Sequence, residues 1–173
     1  MTASPRLIVG LGNPGSEYAQ HRHNVGFMVA DSLSTALKTS FSSKFSGLFA
    51  SAQVASEKIF LLKPQTYMNL SGNSVQAAAQ FYKIPNERIT VLHDELDLAF
   101  GTVRMKTGGG DAGHNGLKSI TAALGAEYTR IRIGIGHPGH KDAVSDYVLS
   151  PFSAAERETL PSVLVKAMAL LSL

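Results

Sequence analysis

Apolar residues along this chain come in two rhythms, and the way they alternate predicts layers of helix on sheet. Leu7-Ile8-Val9, Ile59-Phe60-Leu61-Leu62 and the Arg88–Leu92 segment are short apolar runs, the mark of strands buried on both faces. Thr102–Lys106 alternates apolar with polar residues and predicts a half-exposed strand, and Tyr128–Gly136 is a second alternating strand. Between these lie helical patterns. Phe27–Lys38 spaces Ala30, Leu33 and Leu37 on one side, with Asp31, Ser34 and Lys38 on the other. Val75, Ala78, Ala79 and Tyr82 mark a second helix, and Leu117, Ile120 and Leu124 a third. Asp142–Leu149 reads as a short helix carrying Val144, Tyr147 and Val148. Ser153-Ala154-Ala155-Glu156 is a capping box that opens the last helix, which Pro161 should kink or restart.

One stretch follows neither rhythm. Thr39–Ser56 is rich in serine, with Phe41, Phe45 and Phe49 at every fourth position. It reads as an irregular segment held down by aromatics and leading into a strand near Ala52–Ala55, with Glu57-Lys58 turning into a hairpin partner. No repeat, long linker or low-complexity tract interrupts the alternation. The expectation is one three-layer α/β/α domain over residues 1–173, with a mixed, mainly parallel central sheet.

Composition narrows the class. With 44% hydrophobic and 17% charged residues in 173, the chain is globular and long enough to bury a core. It has no cysteine, which excludes disulfides, thiolate nucleophiles and cysteine-ligated zinc together. MTASPRLIVG lacks the apolar core of a signal peptide, and no apolar run approaches the ~18 residues of a membrane span. A cytoplasmic protein is expected. The formal charge of +3 is mild, so placement matters more than the total. Arg104, Lys106 and Lys118 flank one glycine-rich loop, and Arg130 and Arg132 alternate along the strand after it. That pattern suits a phosphate-facing patch or ordinary solvated charge.

The chemistry collects where strands end. The run LIVGLGNPGSEYAQHRHNVG passes from strand into a turn of three glycines and a proline, then presents Tyr18, His21, His23 and Asn24. Asn69, His93-Asp94 and His114-Asn115 follow later strands or lie in the loops that lead to the next helix. With mainly parallel strands these loops share one rim, where such folds place their sites. A histidine to take a proton from water, a carboxylate to hold its tautomer and amides to meet an oxyanion make a hydrolytic set.

Other readings stand beside this one. His93 fits a structural histidine at a strand end, His114 a cap, and Asn24 and Asn115 helix N-caps. Ser71 lacks the G-x-S-x-G setting of a nucleophile. Gly10-x-Gly12-x-x-Gly15 matches the dinucleotide fingerprint in form only. Pro14 removes a donor that a pyrophosphate needs, and a polar stretch follows where an apolar helix is required. His21, His23, Asp94 and Asp97 could be offered as metal ligands, although H-x-H spacing in a strand points the two imidazoles to opposite sides.

Six segments together, LIVGLGNPGSEY, RHNVG, KPQTYMNLSG, VLHDELDL, GGGDAGHNGLKSI and RIRIGIGHPG, make the chain resemble bacterial peptidyl-tRNA hydrolases from about residue 6 to 150. The resemblance implies hydrolysis of the ester between a peptide and the 3′-terminal ribose of tRNA, by a monomer needing neither cofactor nor metal. It implies that His23 activates water and that Asp94 holds and polarises it. It lays Asn13 and Asn69 along the peptide and ester, and sets Asn69 and Asn115 against the tRNA end or an ordered water. Tyr18, Tyr67 and Met68 would line the cleft, with His114 secondary, and Arg104, Lys106 and Arg132 would hold tRNA phosphates. Asn13 would distinguish a peptidyl group from a free α-amino group. Two departures stand out: Ala112 occupies a usual glycine, which should stiffen that loop, and the sequence ends at Leu173 where relatives often continue in a basic tail. An RNA-binding domain without catalysis is the rival reading, but it gives the His23–Asp94 pair no purpose.

Overall fold

The structure, a computed structural model, describes residues 5–173. Seven strands form one sheet: β1 (Arg6–Gly10), β2 (Ser42–Lys44), β3 (Gly47–Val54), β4 (Glu57–Pro64), β5 (Ile89–Glu95), β6 (Val103–Thr107) and β7 (Thr129–Gly134). Their order across the sheet is β2-β3-β4-β1-β5-β7-β6. The central strands β4, β1, β5 and β7 pair in parallel, and only β3 and β6 run against the common direction. The expected mixed, mainly parallel sheet is therefore present.

The helices are α1 (Val25–Ala36), α2 (Ser71–Tyr82), α3 (Asn115–Leu124), α4 (Val144–Val148) and α5 (Ala154–Ala169). Strand alternation sorts the core into two layers. Ile8, Ile59, Leu61, Leu92, Ile131 and Ile133 face Val29, Leu33, Val163 and Ala167 of α1 and α5. Leu7, Val9, Phe60, Leu62, Ile89 and Val91 face Val75, Ala78, Leu117 and Ile120 of α2 and α3. This is the three-layer α/β/α arrangement. No helix among the described residues is long and apolar enough to cross a membrane.

Gly10 and Gly26 bring α1 unusually close to the sheet. A Cβ on Gly26 would lie 2.4 Å from the Leu92 carbonyl, and one on Gly10 2.3 Å from the Gly26 carbonyl. That contact seats the start of α1, and the 3-10 turn Arg22–Asn24 before it, over the carboxyl ends of β1 and β5.

Two expectations need correction. Thr39–Ser56 is not irregular: β2 and β3 form a hairpin whose tight turn is Phe45-Ser46, both at positive φ (58° and 53°). A turn of this kind is normally announced by Asn or Gly. Here Phe45 is held instead by edge and tilted ring contacts with Phe49, Phe81 and Tyr82. Pro161 does not restart the last helix, since α5 runs through it. Its ring faces solvent, where water can satisfy the carbonyl one turn back, while Val163, Ala167 and Leu171 are buried and fix the axis.

Candidate active site

Asp94, the last residue but one of β5, is 4% exposed, with both carboxylate oxygens occupied by histidine N–H groups. Oδ2 lies 2.7 Å from His23 Nδ1, and Oδ1 lies 2.7 Å from His114 Nε2. The tautomer of His114 follows from its other nitrogen. Nδ1 accepts the Gly116 and Leu117 N–H groups at 3.1 and 3.3 Å, so the proton sits on Nε2. His114 is thus both the N-cap of α3 and a fixed donor to Asp94. His23 donates from Nδ1, which leaves Nε2 as its free lone pair.

The electrostatics follow. Burial alone would raise the Asp94 pKa, but the positive edges and N–H donors of His23 and His114 outweigh it and hold the carboxyl well below the usual range. For His23, burial opposes the charged ring, yet the Asp94 charge and hydrogen bond prevail and its pKa lies above the ordinary value. His93, fully buried behind His114, is pushed down to about 4 by burial and by that neighbour. Its Nδ1 donates to the Asp94 carbonyl at 2.9 Å, the structural role expected of a strand-end histidine.

His23 Nδ1, Asp94 and His114 Nε2 also lie close enough together to suggest a metal site. However, the 2.7 Å separations are those of proton-bridged pairs, and His114 Nδ1 is consumed by α3. The set works as a hydrogen-bond relay. His21 and Asp97 are not part of it.

Asn13 lies across from this relay. Its main chain is clamped by Asn24, which accepts the Asn13 N–H and donates to the Asn13 carbonyl, both at 2.9 Å. Its side-chain Oδ1 accepts the Met68 N–H at 2.8 Å. Only the Nδ2 donors remain for whatever enters the cleft. That Met68 amide is aimed by Tyr67, whose φ of 62° and ψ of 158° cost a non-glycine residue of order 1–3 kcal/mol. The alternative reading of Asn24 and Asn115 as side-chain N-caps does not hold: Asn24 is spent on Asn13, and the cap of α3 is His114. Ser71 is fully buried, with Oγ donating to the Met68 carbonyl, and is in no position to attack a substrate.

A cleft of about 890 Å³ joins these groups. Asn13, His23, Tyr67, Met68, Asn69, Asp94, His114 and Asn115, all expected from the sequence, line it. Tyr18 stands behind Tyr67, ring edge to face at 6.3 Å. Over residues 7–173 the chain matches the family model described as peptidyl-tRNA hydrolase. It belongs to that family.

Curated relatives agree. The peptidyl-tRNA hydrolase of Sorangium cellulosum is 55% identical over 166 residues, covering 94% of this chain and 74% of that one. The peptidyl-tRNA hydrolase of Dinoroseobacter shibae is 56% identical over 162 residues, covering 92% and 68%. Among solved structures, the crystal structure of peptidyl-tRNA hydrolase from Acinetobacter baumannii superposes with a TM-score of 0.91 at 42% identity, covering 99% of this chain and 91% of that one.

The basic residues of this peptidyl-tRNA hydrolase family member lie to one side. Lys106 and Arg132 line a cavity of about 330 Å³ that shares Glu95, Asp97 and Ala112 with the cleft. Arg104 sits directly across the β6–β7 pairing from Arg132, and Lys106 across from Arg130. Like charges opposed in this way repel unless an anion intervenes. Arg132 Nε is partly neutralised by Glu95 at 2.9 Å, whereas Arg104 and Lys106 are exposed. Arg130 plays no such part: it is 2% exposed and donates to the carbonyls of Gly109, Gly110 and Ala126, bracing the glycine loop. In that loop Ala112 takes φ 48°, a left-handed conformation costing alanine roughly 1–2 kcal/mol, so its departure from glycine is felt as strain.

Sequence reading missed the far wall. Leu96, His137, Lys141, Val144, Ser145, Val148 and Leu149 complete the cleft. Val144 and Val148, four residues apart, read equally well as core positions, and only the placement of α4 turns them toward the site.

Proposed function

We propose that this chain cleaves the ester between a peptide, or an N-blocked aminoacyl group, and the 3′-terminal ribose of tRNA, using water activated by His23. The observation that carries this reading is Asp94, saturated by two histidine donors so that one unencumbered base, His23 Nε2, is left in the cleft. Nε2 takes a proton from water as the water oxygen attacks the ester carbonyl carbon. Asp94 stabilises the resulting imidazolium through Nδ1. The Asn13 Nδ2 donors, fixed in direction by the Met68 amide, meet the oxyanion. Collapse of the tetrahedral species breaks the bond to the ribose oxygen, which recovers the proton from His23. The products are a free tRNA 3′ end and a peptide carboxylate.

Asn69 and Asn115, both exposed at the cleft, suit the ribose or an ordered water, and Tyr67 and Met68 bound the acyl side, with Tyr18 supporting the Tyr67 ring. Arg104, Lys106 and Arg132 receive tRNA phosphates. The enzyme acts as a single-domain monomer in the cytoplasm, without cofactor.

Release of N-acetylated amino acid from aminoacyl-tRNA by the purified protein tests this, with and without exhaustive chelation. Release at the same rate in both is expected. Binding without release would leave a non-catalytic RNA-binding module.

A further inference from the structure

Arg22 precedes His23 but turns its side chain away from the cleft and into the protein. It is 9% exposed. Nη1 donates to Ser150 Oγ at 2.6 Å and to the Tyr147 carbonyl at 3.4 Å, and Nη2 pairs with Glu156 Oε1 at 3.0 Å. The guanidinium carbon stands 4.1 Å over the Tyr147 ring. The backbone adds two ties: Arg22 N–H donates to the Ser150 carbonyl at 3.0 Å, and His21 bridges Pro151. Glu156 Oε1 also accepts the Ser153 N–H, half of the box that caps α5. One guanidinium therefore joins the turn carrying His23 to the end of α4 and the start of α5.

Arg22 adds to what already holds α4, the core packing of Val148 with Val144 and Tyr147 beside it and the Tyr147 hydroxyl donating to the Ile135 carbonyl. The helix spans five residues, far below the length at which a helix sustains itself, and only Val148 of them is buried. Yet Val144, Val148 and Leu149 form the apolar wall of the cleft. Apolar side chains there suit the acyl group of a substrate, whereas a polyanionic tRNA belongs beside Lys106 and Arg132.

We propose that Arg22 is a positioning residue that docks α4 onto the catalytic turn, so that affinity for the acyl part of the substrate depends on it while the chemical step does not. This rests on the hydrolase reading of the cleft. His23 keeps its alignment from Asp94, which Arg22 does not touch. Arg22→Lys retains charge but loses the fork and the stacking on Tyr147, and so should be a partial loss; Arg22→Met removes all three polar ties.

Two measurements test it. In the free protein, Arg22→Met should speed amide hydrogen exchange across residues 141–150 while α3 stays as protected as in the parent. With N-acetyl-leucyl-tRNA its KM should rise about tenfold, the equivalent of losing one well-made contact. With N-acetyl-glycyl-tRNA the KM should change far less, and kcat and its pH midpoint should stay close to the parent's. Arg22→Lys should fall between. Equal losses with both substrates through kcat, or a moved pH midpoint, would overturn the proposal in favour of a direct effect on His23. A lowered melting temperature with parental exchange and kinetics would reduce Arg22 to a stability contact. Should Arg22→Met fail to fold, Ser150→Ala and Glu156→Gln each weaken one tie, the latter keeping an acceptor for Ser153, and the same comparisons apply. The exchange arm needs no substrate, so its failure strikes the docking alone, whereas a parent inactive on both substrates would strike the hydrolase reading.

Discussion

Asn24 holds Asn13 by two hydrogen bonds of opposite polarity, its Oδ1 accepting the Asn13 N–H and its Nδ2 donating to the Asn13 carbonyl. Neither asparagine is free to flip. Asn13 presents Nδ2 to the cleft because Met68 has taken its oxygen, and a backbone amide can only donate.

That polarity sets the first prediction. Asn13→Asp retains an acceptor for Met68 but turns a negative oxygen toward the cleft where a donor stood. It should lower kcat/KM on N-acetylated aminoacyl-tRNA by about 10²-fold or more, the cost of an oxyanion donor. It should lose less on free aminoacyl-tRNA, whose ammonium the carboxylate attracts. The ratio of kcat/KM for the two substrates, parent against mutant, checks this, and an unchanged ratio would return Asn13 to a loop-structural role.

The raised pKa of His23 fixes the pH dependence. Neutral Nε2 is the working form, so kcat/KM should fall as pH drops through a midpoint above the ordinary histidine value of 6.5. Asp94, held well below its usual range, stays ionised throughout that window and contributes no second limb there. His23→Ala should reduce turnover by about 10²–10⁴-fold and abolish this limb while leaving tRNA affinity nearly intact. A midpoint below 6.5 would place the base elsewhere.

Asp94→Asn is a test of the two-histidine arrangement. An amide offers one acceptor, so it can satisfy either His23 or His114 but not both, and it removes the charge that supports imidazolium. Turnover should fall by about 10⁴-fold, as for loss of the carboxylate in a serine triad, with the protein still folded by circular dichroism. Activity equal to the parent's would refute the relay.

Phosphate contacts should show themselves through salt. Replacing Arg104 or Lys106 by Gln should weaken tRNA binding and reduce the magnitude of the slope of log affinity against log salt by up to about one unit each, with kcat at saturation unchanged. Arg132 should contribute less, because Glu95 already neutralises part of it. Three unaltered slopes would mark the stripe as ordinary solvated surface.

How much of this was legible beforehand depended on distance along the chain. The order of strands and helices is written in the two apolar periods, and the hydrolytic residues in motifs at strand ends. Both are local signals. The hairpin turn at Phe45-Ser46 escaped notice because rings from α2 hold it in place of turn-forming residues. Arg130 and Arg132 border the same side cavity, and what separates them is that the glycine loop folds its carbonyls over the Arg130 guanidinium and leaves Arg132 more open beside Glu95.

The sequence alone determined that Asn13, Asn69 and Asp94 gather at one rim, since the parallel strands β1, β4 and β5 bring their ends together whatever the loops contain, whereas His114 follows the antiparallel β6 and reaches that rim only through the fold. Only the tertiary structure decided what each does there. Whether Asn13 donates or accepts turns on an amide 55 residues away, and Asp94 acquires its second histidine from the cap of a helix, 20 residues on. Arg22 meets partners 125 to 134 positions distant. Hydrogen-bond direction belongs to pairs of groups, and the chain must fold before these pairs exist.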